Sequence, residues 1–173
     1  MLCPDCGYDN IPGVDLCDKC EQPLTMLDLP ASELEQSISR HSIAVLNPKE
    51  PISISATSSA REAIHELHQR QIGCLLILDN QKVVGVVTDR DILIKVSADL
   101  TLLDQPVSQI MTADPMVVHR DDSIAYCLRT MDMGGYRHLP VVEGAGTATG
   151  IISVRDILRF LCVRFAEIRS ALE

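Results

Sequence analysis

The sequence predicts an α/β (α+β) protein in which one β-α-β-β-α unit is written twice, the copies packed as a pseudo-twofold pair behind a small four-cysteine metal-binding element. Three observations predict it. The chain aligns on itself at an offset of 64 residues, pairing Pro51 with Pro115, Ser59 with Ser123 and Leu75 with Leu139. After a one-residue insertion the offset becomes 65, and Gly85, Arg90, Asp91, Ile92 and Leu93 fall on Gly150, Arg155, Asp156, Ile157 and Leu158. Four of the seven cysteines form two CxxC pairs near the N-terminal end. Self-similarity at such a period marks a repeated supersecondary unit.

Each copy opens with a short alternating segment (Ile52 to Ile54; Met116 to Val118) and continues into a helix with Ser59 or Ser123 as N-cap candidate. Apolar residues recur along these helices at helical spacing, at Ala63, Ile64 and Leu67 and at Cys127, Leu128 and Met131. Two apolar runs follow in each copy: Cys74 to Leu78 and Val83 to Val87, then Leu139 to Val142 and Gly150 to Ile152. Turn residues Asp79-Asn80 and Gly144-Ala145-Gly146 join them. The closing helices begin at Asp89 and Val154. A three-strand sheet from a copy of about 60 residues cannot cover its own apolar face, so the copies are expected to pack sheet to sheet.

The expected organisation is a cysteine element over residues 1–25, a linker and lead-in helix over 26–40, a first repeat over 41–98, and a linker, second repeat and C-terminal helix over 99–173. A loop around Leu27 to Pro30 precedes the lead-in helix, Ala31 to Arg40. Ser97 to Met111 reads as a connector between repeats. Ile157 to Leu172 reads as a helix with Leu158, Leu161, Phe165 and Ile168 on one side, longer than one copy requires and so available to a partner.

A length of 173 residues suits one ordinary domain with a small appendage. The 46% hydrophobic content, with three Tyr, two Phe and no Trp, implies a core of Val, Ile, Leu and Ala. A net charge of -9 argues against general affinity for phosphate backbones, so nucleic acid is not an expected partner. No apolar run approaches the roughly 20 residues of a membrane span. The N-terminal sequence MLCPDCGYDN lacks the charged and apolar stretches of a signal peptide, and the expected location is the cytoplasm.

Cys3, Cys6, Cys17 and Cys20 form two knuckles, each short enough to bring two thiolates to one ion, with ten residues between them to turn the chain back. Four soft ligands in a tetrahedron select zinc. The metal would replace a core that the segment is too short to bury, making binding and folding one event. Gly7, Asn10, Pro12 and Gly13 are loop formers around the ligands. The pattern CPDCGYDNIPGVDLCDKCEQPL resembles a short zinc ribbon of the kind found at the ends of many prokaryotic proteins. A redox dithiol is the rival reading, although such a motif is usually single and opens a helix. Such a ribbon can contact protein or nucleic acid, or serve as a folded cap on the larger domain.

The segments Gly85-Val-Val-Thr88-Asp-Arg-Asp91 and Gly150-Ile-Ile-Ser153-Val-Arg-Asp156 each place a hydroxyl and a carboxylate where a strand gives way to a helix. A carboxylate there can accept from vicinal ribose hydroxyls, and the Thr or Ser hydroxyl can reach the sugar or a phosphate. Arg90 and Arg155 add positive charge beside a helix start that itself favours anions. Ser/Thr-x-x-Asp is equally a capping arrangement that needs no ligand, and the two readings are compatible.

With these motifs, the Arg137-to-Val142 segment RHLPVV and the lead Ile110-Met111-Thr112, the tandem resembles a pair of CBS domains, a Bateman module, over roughly 125 of its 173 residues. The resemblance implies a non-catalytic protein that binds adenosine-containing ligands such as AMP, ADP, ATP or S-adenosylmethionine between the copies, AMP foremost, and signals to a partner. It also implies composite sites. One would use Thr88, Arg90 and Asp91 with Thr112, Met116, Tyr136, Arg137 and His138; the other would use Ser153, Arg155 and Asp156 with Ile52, Ser53 and Cys74. The copies differ where Gly73 and Cys74 stand against Arg137 and His138, so the Asp91 site is expected to be the better phosphate binder. A homodimer through the apolar helix faces at Ile92 to Val96 and Ile157 to Phe165 is expected on the same ground.

Enzyme activity is not expected. Nucleophilic catalysis needs a thiolate or hydroxyl with a base and an orienting group, whereas Cys74, Cys127 and Cys162 lie in apolar surroundings and read as buried, inert thiols. His65 and His68 share a helix with Glu62 and Glu66 and read as a solvated face. The competing hypothesis is an oligomerisation or docking scaffold with vestigial clefts.

Overall fold

The computed structural model describes residues 2–3, 5–11, 14–24 and 33–170. The expected loop at Leu27 to Pro30, the loop formers Pro12 and Gly13, the first two residues of the lead-in helix and the helix end at Leu172 lie outside them. The lead-in helix α1 spans Glu33–Arg40, and a 3-10 turn over Ile43–Leu46 buries Ile43. The first repeat follows as β1 (Ser53–Ser55), α2 (Ala60–Gln69), β2 (Cys74–Asp79), β3 (Lys82–Thr88) and α3 (Asp89–Asp91), which continues as a π-helical turn over Ile92–Val96. A short strand β4 (Thr112–Ala113) precedes the second, which gives α4 (Ile124–Gly134), β5 (His138–Glu143), β6 (Thr147–Ser153) and α5 (Val154–Ser170). Among the described residues no helix is long and apolar enough to cross a membrane.

The helix starts follow from the residues that cap them. Ser59 accepts from the Glu62 N–H at 3.2 Å while the Glu62 carboxylate accepts from the Ser59 N–H at 2.8 Å, a complete capping box. Ser123 accepts from the Tyr126 N–H at 3.1 Å. The β2–β3 hairpin turns on Asn80 and Gln81, one residue later than the sequence suggested. Both have positive φ (48° and 67°), the geometry whose twist matches that of the flanking strands.

The chain divides into two compact units. One comprises Lys49–Val117 and Pro140–Ile151; the other comprises the residues up to Pro48, Val118–Leu139 and the residues from Ile152 on. In the first, β1 runs parallel to β2, β2 antiparallel to β3, and β3 pairs with β4 through Gly85↔Ala113 and Val86↔Thr112. Lys82 of β3 also pairs with Thr147 of β6. At Met116 to Val118, the expected opening segment of the second copy and the match of β1 at the 64-residue offset, Val118 makes an isolated bridge, whereas Thr112–Ala113 ahead of it pairs with β3 of the first copy. Asp114, with φ of 47°, and Pro115, with no N–H to donate, end the pairing between them. Gly85 in β3 leaves room for the Met111 side chain, whose sulfur would lie against an added Cβ and would have to shift to admit one.

The core of this unit is Ala60, Ala63, Leu67, Leu75, Ile77, Val87, Val96, Val107 and Ile110. The last two correct the reading of Ser97 to Met111 as a plain connector. Its 3-10 turns at Leu100–Asp104 and Val107–Gln109 fold back on α2, the Ala60 N–H donating to the Gln105 carbonyl and the Val107 N–H to the Ser58 carbonyl.

In the other unit, α1 packs on α4 and α5. Arg164 donates to Ser37 Oγ at 3.0 Å, and the His41 and Phe160 rings meet at 5.6 Å. Residues 41–43 are stitched to the start of α4 by Ile43 N–H to Asp122 O and Ile124 N–H to His41 O. Of the three further cysteines, Cys74 and Cys127 are buried as expected, but Cys162 is exposed on α5. On the same helix Leu158 and Phe165 are more than half exposed, as are Leu93 and Ile94 after α3.

Candidate functional site

Strand β3 ends at Thr88, which still pairs with Cys74 and is also the cap of α3. The Thr88 N–H (3.0 Å) and hydroxyl (2.7 Å) both donate to Asp91 Oδ2, and the Asp91 N–H returns to Thr88 Oγ1 at 3.3 Å. The other carboxylate oxygen, Oδ1, accepts from Lys95 Nζ at 3.0 Å and from Thr112 Oγ1 at 3.3 Å. Lys95 donates further to the carbonyls of Ile110 and Met111, so this one cation joins the carboxylate to the end of the connector. Burial works to raise the Asp91 carboxyl, and the Thr88 and Lys95 donors outweigh it, holding it below its ordinary range.

A carboxylate depressed by folding stabilises fully above its unfolded value, about 3.9, and that contribution is lost as pH falls through the lower folded value. The stability difference between wild type and Asp91→Asn, read from urea midpoints, should be largest near neutral pH and shrink below about pH 4.

The second copy repeats half of this arrangement. The Ser153 N–H (2.9 Å) and hydroxyl (2.6 Å) donate to Asp156 Oδ2 at the start of α5. Both boxes are thus capping arrangements in their own right, as the sequence allowed. Lys95 has no counterpart, because Phe160 occupies the matching position at the 65-residue offset. Asp156 instead lines a pocket of about 220 Å³ with Val45, Leu46, Arg159, Phe160 and Val163. Lys95 and Arg159 are cations beside the two carboxylates that sequence reasoning missed. The available signal was helical spacing, four residues from Asp91 and three from Asp156.

The remaining predicted residues divide as follows. In the unit that holds Asp91, Arg90 is exposed, Met116 is 46% exposed, Cys74 pairs in register with Thr88, Ser53 pairs with Leu76, and the Ile52 carbonyl accepts from the Leu76 N–H. In the unit that holds Asp156, Tyr136 and Arg155 are exposed, the Arg137 carbonyl accepts from the Val154 N–H at 3.0 Å, and His138 is half-buried at the start of β5. A hollow of about 350 Å³ lined by Ile64, Leu67, His68, Gln71, Ile72, Asp89 and Ile92 contains none of the predicted site residues.

The four N-terminal cysteines converge. Their sulfur atoms lie within 4.8 Å of one another, with Cys3–Cys20 and Cys6–Cys17 at 3.6 Å. Four sulfurs at about 2.3 Å around one tetrahedral ion would stand about 3.8 Å apart, whereas a disulfide requires about 2.05 Å, so the geometry fits a metal and not a crosslink. Each knuckle closes on a single antiparallel bridge, Leu2↔Asp9 and Leu16↔Pro23, and Gly7 takes the left-handed conformation (φ 68°) that the first turn needs. Burial works to raise the Cys17 thiol, but the N–H groups of Cys20 and Lys19 and the Asn10 amide outweigh it and bring it down to about 6. A thiolate is therefore favoured there at neutral pH. Burial pushes the Cys6 and Cys20 thiols up, and a metal would have to displace their protons.

A duplicated β-α-β-β-α unit with a hydroxyl–carboxylate box at the same strand-to-helix junction in each copy defines a paired regulatory module. The protein belongs to the CBS-domain family, whose model, "CBS domain", matches residues 41–98 and 107–163. Such pairs are non-catalytic regulatory modules. The chain is 38% identical over 101 residues to a 17.7 kDa protein of Acidianus ambivalens, covering 58% of this chain and 60% of that one. It is 34% identical over 124 residues to CBS domain-containing protein CBSCBSPB1 of Arabidopsis thaliana, covering 70% and 22%. It therefore spans less than two thirds of the length of either relative. Among solved structures it is similar to the CBS domain pair of protein MJ0100 in complex with 5′-methylthioadenosine and S-adenosyl-L-methionine (26% identity, TM-score 0.66, covering 72% and 98%). It is likewise similar to CBS domain protein PAE2072 from Pyrobaculum aerophilum complexed with AMP (28% identity, TM-score 0.63, covering 71% and 99%).

Proposed function

We propose that this protein is a cytoplasmic sensor of an adenosine-containing ligand, held by its CBS pair, and that a zinc ion folds its N-terminal knuckles. The observation that carries the sensor reading is the Thr88–Asp91 box with its cations. It presents a carboxylate able to accept from ribose hydroxyls, and Arg90 and Lys95 supply positive charge for phosphates. The adenosine ligands of the two solved relatives support the same class of ligand here, AMP foremost. In this reading Thr88, Arg90, Asp91, Thr112 and Met116 act with Tyr136, Arg137 and His138; Ser153, Arg155 and Asp156 act with Ile52, Ser53 and Cys74. Arg159 joins the second set because it lines the pocket of Asp156. The functional division remains the knuckles over 1–25, the lead-in over 26–40, and the repeats over 41–98 and 99–173. The exposed Leu93, Ile94, Leu158 and Phe165 support a homodimer through these helices, which would relay occupancy to a protein partner.

The test is calorimetry with AMP, ADP, ATP and S-adenosylmethionine on wild type, Asp91→Ala and Asp156→Ala. Saturable heat is expected with at least one ligand, and Asp91→Ala should weaken it at least tenfold, since it deletes a charged acceptor worth roughly 1.5–3 kcal/mol. No heat with any of the four would sink the sensor reading and leave the scaffold.

A further inference from the structure

Helix α4 holds both cysteine knuckles with three residues spaced three apart along one face. At its N-cap, the Ser123 hydroxyl donates to the Asp5 carbonyl, inside the first knuckle. One turn on, Tyr126 packs against the cluster of Cys3, Cys17, Cys20 and Leu24. One turn further, Arg129 spreads its whole guanidinium over the second knuckle. Nε donates to the Cys20 carbonyl at 2.9 Å, one terminal nitrogen to Gln22 Oε1 at 2.9 Å, and the other to the Glu21 carbonyl. These acceptors sit on the metal-ligating residue itself and on the two residues after it.

The carbonyls that Arg129 grips point as they do because Cys17 and Cys20 are drawn together at the end of a tight turn, in which the Glu21 N–H donates to the Cys17 carbonyl and Glu21 itself takes positive φ (56°). An ion bound by four thiolates fixes that turn. Without one, four close sulfurs have only weak thiol contacts to hold them, and the short element has little core of its own. Arg129 therefore fits the metal-bound knuckle. It also brings a positive charge to a cluster that would carry two net negative charges when four thiolates surround a dication. Linkage is reciprocal: whatever the ion contributes to the grip of Arg129, that grip returns to the affinity for the ion.

We infer that metal binding at Cys3, Cys6, Cys17 and Cys20 and the ordering of helix α4 are one linked equilibrium, with Arg129 as the positioning residue that couples them. The inference rests on the metal reading above and deepens it by assigning the metal a regulatory target. That target is consequential because α4 ends at Gly134, turns on Gly135 in the left-handed conformation (φ 65°), and delivers the chain directly to Tyr136, Arg137 and His138, three of the proposed ligand-binding residues. Loss of the ion, by chelation or thiol oxidation, would then be felt where the nucleotide is proposed to bind.

The experiment uses the full chain and Zn²⁺ alone as the probe. It measures zinc affinity by chelator competition, and amide hydrogen exchange in α4 and α2 with and without the ion. Wild type should take up one Zn²⁺, and removing it should raise exchange in α4 at least tenfold while α2, in the other compact unit, stays unchanged. Arg129→Ala should bind Zn²⁺ roughly 10–100-fold more weakly, the usual cost of losing an outer-shell partner. Its α4 exchange should no longer respond to zinc. Arg129→Lys keeps the charge but not the fork, and should fall between the two. One Zn²⁺ bound with α4 exchange indifferent to it, or Arg129→Ala holding zinc as tightly as wild type, overturns the linkage and leaves the metal site standing. No uptake of Zn²⁺ by wild type overturns the metal site and the linkage together.

Discussion

Cys17→Ser should abolish tight metal binding, with zinc content falling from one ion per chain to none after dialysis against a mild chelator. Cys17 is held in place before any ion arrives. It is 1% exposed, and the Asn10 amide donates to its sulfur at 3.5 Å while Asn10 Oδ1 accepts from the Asp18 N–H at 2.9 Å. Burial works to raise its thiol, but the Asn10 amide and the N–H groups of Cys20 and Lys19 bring it down to about 6, which favours the thiolate. Serine would keep the shape but offer a neutral hydroxyl to an ion that prefers sulfur. Structural zinc contributes apparent binding energies of roughly 10–16 kcal/mol in small four-ligand elements, so losing one ligand removes most of what folds the knuckles. The control is Cys162→Ser, an exposed thiol on α5 well apart in sequence from the cluster, which should leave zinc content unchanged. Retention of one zinc per chain in Cys17→Ser would overturn the four-thiolate site.

What could be read from the sequence was local or repeated. The 64- and 65-residue offsets exposed both copies, Ser59 and Ser123 announced their helices by capping chemistry, and Thr88-x-x-Asp91 and Ser153-x-x-Asp156 announced theirs. The two CxxC pairs specified four converging sulfurs because knuckle geometry is set within a few residues. What could not be read depends on partners distant along the chain. Arg129 meets Cys20, Glu21 and Gln22 across more than a hundred residues, and nothing near Arg129 distinguishes it from any helical surface arginine. Lys95 was legible in principle, four residues beyond Asp91, but the repeat does not point to it, because the matching residue is Phe160. To the charge difference expected from Arg137 and His138 against Gly73 and Cys74, the structure adds Lys95 on the Asp91 carboxylate and Arg159 in the pocket of Asp156.

The connector provides the second large effect. Ile110→Ala should destabilise the protein by about 2–5 kcal/mol, the range for truncating a fully buried aliphatic side chain, although the sequence suggested nothing more than a link between repeats. Ile110 is 0% exposed and packs in one cluster with Leu75, Ile77 and Val87 of the sheet and Ala63 and Leu67 of α2. Its carbonyl also accepts from Lys95, the cation that holds Asp91, so a shift of the connector would loosen the box as well. Leu100, 69% exposed on the same connector, is the internal comparison, and Leu100→Ala should change stability by no more than about 0.5 kcal/mol. Urea unfolding of the two variants separates the possibilities. A plain tether would make them equal, whereas a connector that completes the core of the first repeat makes Ile110→Ala costly enough to consume a large part of the roughly 5–15 kcal/mol that stabilises an ordinary domain. In that case the segment joining the repeats belongs to the fold of the first, and Thr112, which it positions, is held against Asp91 by core packing as much as by its own hydrogen bond.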